Sequence, residues 1–148
     1  MGRDGRVFTI VKFRTMSPAP DGGLPNEWTQ PDDPRITPFG RWMRRTHVDE
    51  LPQLYNVLRG DLSVVGPRPE QPHYVAELVT KVLFYELRHL VRPGLTGWAQ
   101  VKFGYSGDER DALEKLQYEF WYLRHQSLAL DLRILGRTVR EMVRAGGR

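Results

Sequence analysis

A chain of 148 residues is long enough to bury one substantial core and too short for two ordinary domains, and its 40% hydrophobic content fits a globular class. There is no cysteine, which excludes a disulfide scaffold, a thiolate metal site and a cysteine nucleophile. The net charge of +4 calls for an anionic partner (nucleic acid, a phosphorylated small molecule or an anionic membrane surface), and no apolar run reaches the ~18–20 residues that span a bilayer.

Val7 to Phe13 is rich in β-branched and aromatic residues and predicts a strand. Residues 17–38 hold eight prolines and glycines between Pro18 and Pro38, a loop of the length that usually carries function. Phe39 to Arg45 predicts a short basic helix. A second helix is expected to start near Asp49, because Pro52 has no N–H to give and is tolerated only in a first turn. Its expected apolar face is Leu51, Leu54, Tyr55 and Leu58, and Gly60 is its expected stop.

Leu62 to Val65 predicts a short strand, and Gly66-Pro67-Arg68-Pro69 a stiff turn. Tyr74 to His89 predicts a helix. Arg92 to Gly97 is expected to be a second turn leading into a strand at Trp98 to Val101, with a loop at 104–109. Asp111 to Arg124 predicts a helix carrying Tyr118, Phe120, Trp121 and Tyr122. Ser127 is the expected cap of a last helix, Leu128 to Arg144, which sets apolar residues against Arg133, Arg137, Arg140 and Arg144.

The chemistry concentrates at Asp49-Glu50. Two acids at a helix start ordinarily serve the helix dipole. The functional alternative is that one attacks phosphorus while the other holds a metal or a proton. Cations surround the pair in sequence. Lys12 and Arg14 close the first predicted strand, and Arg41, Arg44 and Arg45 precede the acids. Arg68 sits between two prolines, so its backbone is stiff and its planar fork is aimed, which suits bidentate phosphate binding. The four histidines lack paired metal-ligand spacing, and neither a Walker loop nor a dinucleotide fingerprint occurs.

Taken together the chain resembles the bacterial sugar transferases, the monotopic polyprenyl-phosphate phosphoglycosyl transferases. The resemblance runs through Lys12-Phe13-Arg14-Thr15-Met16, Ile36-Thr37-Pro38-Phe39-Gly40-Arg41, Asp49-Glu50-Leu51-Pro52-Gln53-Leu54, the tract from Gly60 to Glu70, and Arg92 to Val101, and it ends in Ser127-Leu128 through Asp131-Leu132. Each short motif is weak, but their joint order and spacing are specific. The tracts Leu87-Arg88-His89 and Asp111 to Tyr118 are similar to the exopolysaccharide and exosortase-associated branch.

The resemblance implies an α/β fold of the α+β type: a small sheet surrounded by helices, with residues 1–148 as one catalytic domain. It implies that Asp49 attacks the sugar-bearing phosphate of a UDP-sugar, that UMP leaves, and that undecaprenyl phosphate then takes the phosphosugar. Glu50 is implied as the Mg²⁺ residue. Lys12, Arg14, Arg44, Arg68 and Glu119 are implied at the phosphate and substrate site. The implied setting is the cytoplasmic face of the bacterial inner membrane, on anionic lipid.

Three departures stand out. The family's re-entrant membrane helix would precede residue 1, so the chain is expected to be truncated relative to it. Glu119 stands where the family has Asp, and residues 102–110 lack a family arginine that Arg110 is a candidate to replace. Two other readings compete with the transferase: a basic nucleic-acid-binding module, for which no reader motif is visible, and an inactive scaffolding fragment.

Overall fold

The structure is a computed structural model that describes residues 1–18, 33–103 and 109–145. Residues 19–32 of the proline-rich segment, residues 104–108 and 146–148, and the side chains of residues 109, 110 and 143–145 lie outside the described residues, and with them the expectations made there.

Among the described residues six helices surround a two-stranded parallel sheet, in keeping with the α/β expectation. In chain order they are α1 (Pro38–Thr46), α2 (Gln53–Arg59), β1 (Ser63–Val65), α3 (Pro72–Lys81), β2 (Gly94–Thr96), α4 (Trp98–Phe103), α5 (Glu109–His125) and α6 (Leu128–Ala145). Short 3-10 turns lie at Arg3–Gly5, Val48–Glu50 and Tyr85–Leu90.

Helix α1 starts where its sequence directs. Thr37 accepts from the Gly40 N–H through its hydroxyl, and Pro38 occupies the first turn, where no N–H is needed. A Cβ at Gly40 would strike the Thr15 carbonyl, so the missing side chain lets α1 lie directly on the Lys12–Met16 segment. Met16 and Ile36 pair there as an isolated antiparallel bridge.

Residues 7–13 form no strand, contrary to the pattern. Three of their backbone groups bond instead to α2 and to the turn before it. Asn56 donates to the Thr9 carbonyl at 2.8 Å and accepts from the Val11 N–H at 3.0 Å, and the Asp49 carbonyl accepts from the Phe13 N–H at 3.0 Å. This arrangement also inverts α2. Asn56, 1% exposed, and Gln53 face inward, while Leu51, Leu54, Tyr55 and Leu58 are exposed, Leu58 at 88%. The buried amide of Asn56 supplies these partners and so takes the inner face ahead of the leucines.

The strand pair also departs from the prediction. Gly94–Thr96, expected to be a turn, is β2, and Trp98–Val101, expected to be a strand, opens α4. Ser63 pairs with Gly94 and Val65 with Thr96. A Cβ at Gly94 would strike the Gly66 nitrogen, so the glycine that suggests a turn is there to let two backbones approach. The helix expected at Tyr74–His89 breaks after Lys81. Val82 is extended and buried, and Phe84 adopts a left-handed φ of 63° before the 3-10 turn.

Among the described residues two apolar clusters form the core, and α5 serves both. Tyr122 joins Val65, Leu130 and Ile134, while Leu116 joins Val75, Val82 and Tyr85. The aromatic face of α5 is therefore divided. Tyr122 is core and bonds Asp131 at 2.9 Å, whereas Trp121 is exposed and stacks on Trp98 at 5.1 Å. No helix among the described residues is long and apolar enough to cross a membrane.

Candidate active site

His47 closes α1 with its N–H on the Arg44 carbonyl and a left-handed φ of 54°. This reversal turns the chain directly into the 3-10 turn that carries Asp49 and Glu50. The acids thus precede α2 instead of occupying its first turn, as was expected from Pro52. An unusual φ at a non-glycine residue is a cost that the surrounding structure must hold in place.

The two carboxylates meet opposite surroundings. Glu50 accepts from Lys12 Nζ at 2.8 Å and lies 3.7 Å from Arg68 Nη2. Burial alone would raise its carboxyl, but the two cations outweigh that and hold it below the ordinary range. Asp49 is 8% exposed, and its Oδ1 is buried without a hydrogen-bond partner. Burial and the neighbouring Glu50 push its carboxyl up, against Lys12, His47 and Arg44. Paired acids whose environments drive them apart are a recurrent feature of acid, base and nucleophile assignments.

A cavity of about 480 Å³ opens beside this turn. His47, Glu50, Arg68 and Glu119 line it, and much of the remaining wall is apolar, including Leu54, Leu95 and Leu135. Asp49, Lys12 and Arg44 are not among the lining residues; the cavity meets the acidic pair through Glu50.

The predicted site residues are therefore partly gathered. Lys12, Asp49, Glu50 and Arg68 come together from the extended N-terminal segment, the 3-10 turn and the proline-bounded turn. Arg44 stands close behind, its Nε donating to the buried Thr15 hydroxyl at 2.9 Å. Arg14 is exposed, forms no hydrogen bond or ion pair among the described residues, and does not line the cavity. Glu119 lines the cavity, but its carboxylate accepts from Arg88 Nη2 at 2.7 Å within a buried pair.

Sequence reasoning missed Arg88, His47 and Asn56. Arg88 falls in the Leu87-Arg88-His89 tract that marks the branch resemblance, but nothing in that tract assigns it a partner at the site. The amide at Asn56, between Tyr55 and Val57, is an available signal for an inward polar position on α2.

Two adjacent carboxylates are hard oxygen donors, and one of their oxygens lacks a partner. Among the described residues no third acid or histidine joins them in a metal-binding group. That donor set fits Mg²⁺, which uses one or two carboxylates and takes its other ligands from water and substrate phosphates.

A family profile described as "Bacterial sugar transferase" matches residues 1–145. The chain is 41% identical, over 99% of its length, to the UDP-N-acetylgalactosamine-undecaprenyl-phosphate N-acetylgalactosaminephosphotransferase of Aeromonas hydrophila, of which it covers 34%. It is 42% identical, over 90% of its length, to the UDP-glucose:undecaprenyl-phosphate glucose-1-phosphate transferase of Xanthomonas campestris pv. campestris, of which it covers 28%. It is also 42% identical, over 99% of its length, to the uncharacterized sugar transferase EpsL of Bacillus subtilis, of which it covers 68%. The chain thus spans about a third of the first two relatives and two thirds of the third. Its ordered motifs, its acidic turn between lysine and arginine, and a match across nearly every residue place the chain in the bacterial sugar transferase family.

Proposed function

We propose that the protein transfers a phosphosugar from a UDP-sugar to undecaprenyl phosphate, the opening step in assembling an exopolysaccharide or related glycan. The observation that carries the reading is the Asp49-Glu50 turn, with one desolvated, unpartnered carboxylate oxygen beside a carboxylate held by two cations.

A carboxylate stripped of hydrogen-bond donors is a better nucleophile than a solvated one. An Asp49 oxygen attacks the sugar-bearing phosphorus, forming a P–O bond to the aspartate. The phosphoanhydride bond breaks, and its electron pair and bridging oxygen leave with UMP. A phosphate oxygen of the lipid then attacks the same phosphorus. The aspartyl bond breaks, the new diphosphate is released and Asp49 is regenerated. Arg68 and Lys12 offset the charge that gathers on the phosphate oxygens. Glu50 would hold Mg²⁺, which when bound neutralises diphosphate charge and eases the departure of the nucleotide. The apolar wall beside Glu50 and Arg68 suits an acceptor with a phosphate head and a hydrocarbon body. Such an acceptor has the protein working at the cytoplasmic face of the bacterial inner membrane.

The test is incubation in detergent with a panel of UDP-sugars, Mg²⁺ and undecaprenyl phosphate, reading UMP release. One sugar should give UMP, and donor alone should leave a phosphosugar adduct on the protein by intact mass. Asp49→Asn should lose both signals while keeping its circular dichroism spectrum. Normal turnover by Asp49→Asn would remove it as the nucleophile, and no UMP from any donor would remove the reaction.

A further inference from the structure

The turn that carries Arg68 is tied down at three consecutive residues. The Gly66 N–H donates to the Thr96 carbonyl at 2.9 Å, and the Pro67 carbonyl accepts from the Gly94 N–H at 2.8 Å. Both ties are backbone bonds to the edge of β2. The third is of another kind: the Arg68 carbonyl accepts from Arg88 Nη2, a side-chain nitrogen, at 2.8 Å. Arg88 comes from the 3-10 turn at Tyr85–Leu90, 20 residues beyond Arg68 in sequence.

Arg88 is only 4% exposed and is itself held on two sides. Its Nη2 also donates to Glu119 Oε1 on α5, 5% exposed, and its Nη1 donates to the Tyr85 hydroxyl. Burial works against the Arg88 charge, but Glu119 and Tyr85 outweigh it and keep the guanidinium protonated. A buried ion pair of this kind is poor evidence for stability, because apolar residues of similar size often serve as well. Its geometric consequence is what distinguishes it. One planar guanidinium links α5, the 3-10 turn and the main chain of the cavity's arginine, and lysine's single nitrogen lacks that span.

We propose that the Arg88–Glu119 pair is a positioning device that fixes the main chain at Arg68, and through it the direction of the Arg68 guanidinium at the cavity. Arg88 and Glu119 act on the reaction through Arg68 and are not themselves catalytic. The pair also makes α5, whose Leu116 and Tyr122 pack in the core on either side of Glu119, a mechanical support for the acidic turn, since Arg68 reaches to 3.7 Å from Glu50. The inference rests on the reading of Arg68 as a phosphate-binding group.

Two measurements test it. In the first, ¹⁵N relaxation of the Arg68 Nε–Hε group is compared between the parent, Arg88→Lys, and the double variant Arg88→Met/Glu119→Leu. The double variant removes both buried charges together, so no uncompensated ion is left to unfold the chain, and Arg88→Lys serves where it fails to fold. The Arg68 group should pass from ordered to mobile in both variants. An unchanged order in a folded variant overturns the proposal. In the second, kcat for UMP release is measured for the Arg88 variants with and without Arg68→Ala. Loss of Arg88 should lower kcat at least tenfold in the parent and by less than twofold in the Arg68→Ala background, because both changes disable one group. Losses that multiply would show that Arg88 acts elsewhere, as a structural residue would. If the parent releases no UMP from any UDP-sugar, the transferase reading falls, and the relaxation measurement still decides the positioning role.

Discussion

At the scale of single residues, the site depends on contrast between neighbours. Asp49 and Glu50 are adjacent in the chain, yet only Glu50 meets cations directly. Arg68 bears on that contrast through its shape as well as its charge. Its backbone is stiffened by Pro67 and Pro69 and bonded at its carbonyl, so its fork arrives in one orientation. Arg68→Lys keeps the charge and loses the fork, and should therefore be nearly as damaging as Arg68→Ala, each lowering kcat/KM by about a hundredfold, or ~3 kcal/mol. Steady-state kinetics on the two variants check this, and near-parental values for the lysine variant would reduce Arg68 to a point charge.

Asn56 shows how one residue governs an element. Its side chain completes the backbone bonding of residues 9 and 11 and also donates to Asp61 at 3.2 Å. Truncation removes the three hydrogen bonds of a buried side chain, so Asn56→Ala should destabilise the fold by about 2–4 kcal/mol, read from the urea midpoint at unchanged slope. Because that same segment delivers Lys12 to Glu50, the variant should also weaken activity. Helix α6 presents a different balance. Leu130 and Ile134 are core, while Leu128 and Leu132 are exposed beside the exposed Arg133 and Arg140. Arg137 is engaged over the Trp98 ring at 5.2 Å. An outer face of this composition gains from anionic lipid at about 1 kcal/mol per basic residue. The protein should sediment with anionic vesicles at low salt and be released at high salt. Replacing Arg133, Arg137, Arg140 and Arg144 with Gln should remove most of that binding. Equal binding by the fourfold variant would make α6 a core helix only.

At the scale of the whole molecule, the buried charges set a pH response. The His89 Nε2 is buried without a hydrogen-bond partner, and burial together with the Arg88 charge pushes its imidazole down to about 4. The ordinary histidine value is near 6.5. Between those two values the unfolded chain binds a proton that the folded chain refuses, so stability is complete above about 6.5 and falls as the pH drops toward 4. The ring is only partly enclosed, so solvent screening limits the loss to about 1–2 kcal/mol. Denaturant titrations at pH 7 and pH 4.5 should show that difference in the parent beyond any seen in His89→Gln. Equal pH dependence in the two proteins would assign the response to other groups. The same region contains the Arg88–Glu119 pair, so the support of the Arg68 turn lies in the part of the fold most exposed to acid.

The sequence by itself determined the helices α1, α5 and α6, the short strand at β1, the family, and the residues that meet around Glu50. These are local matters. Capping at Ser127 and apolar periodicity act within a few residues, and the acidic pair with its motif arginine is recognisable as a string. The tertiary structure decided what depends on partners far along the chain. Whether residues 7–13 pair as a strand turns on Asn56, 45 residues beyond Val11. Whether Gly94 marks a turn or a strand turns on the approach of Gly66, and periodicity cannot see that approach. The inward side of α2 went to an amide because Asn56 is held there by bonds to Thr9, Val11 and Asp61, partners that the local pattern of leucines does not reveal. Glu119 was legible as a charge near the site, but its partner Arg88 is 31 residues away, so only folding could show that its carboxylate is already engaged.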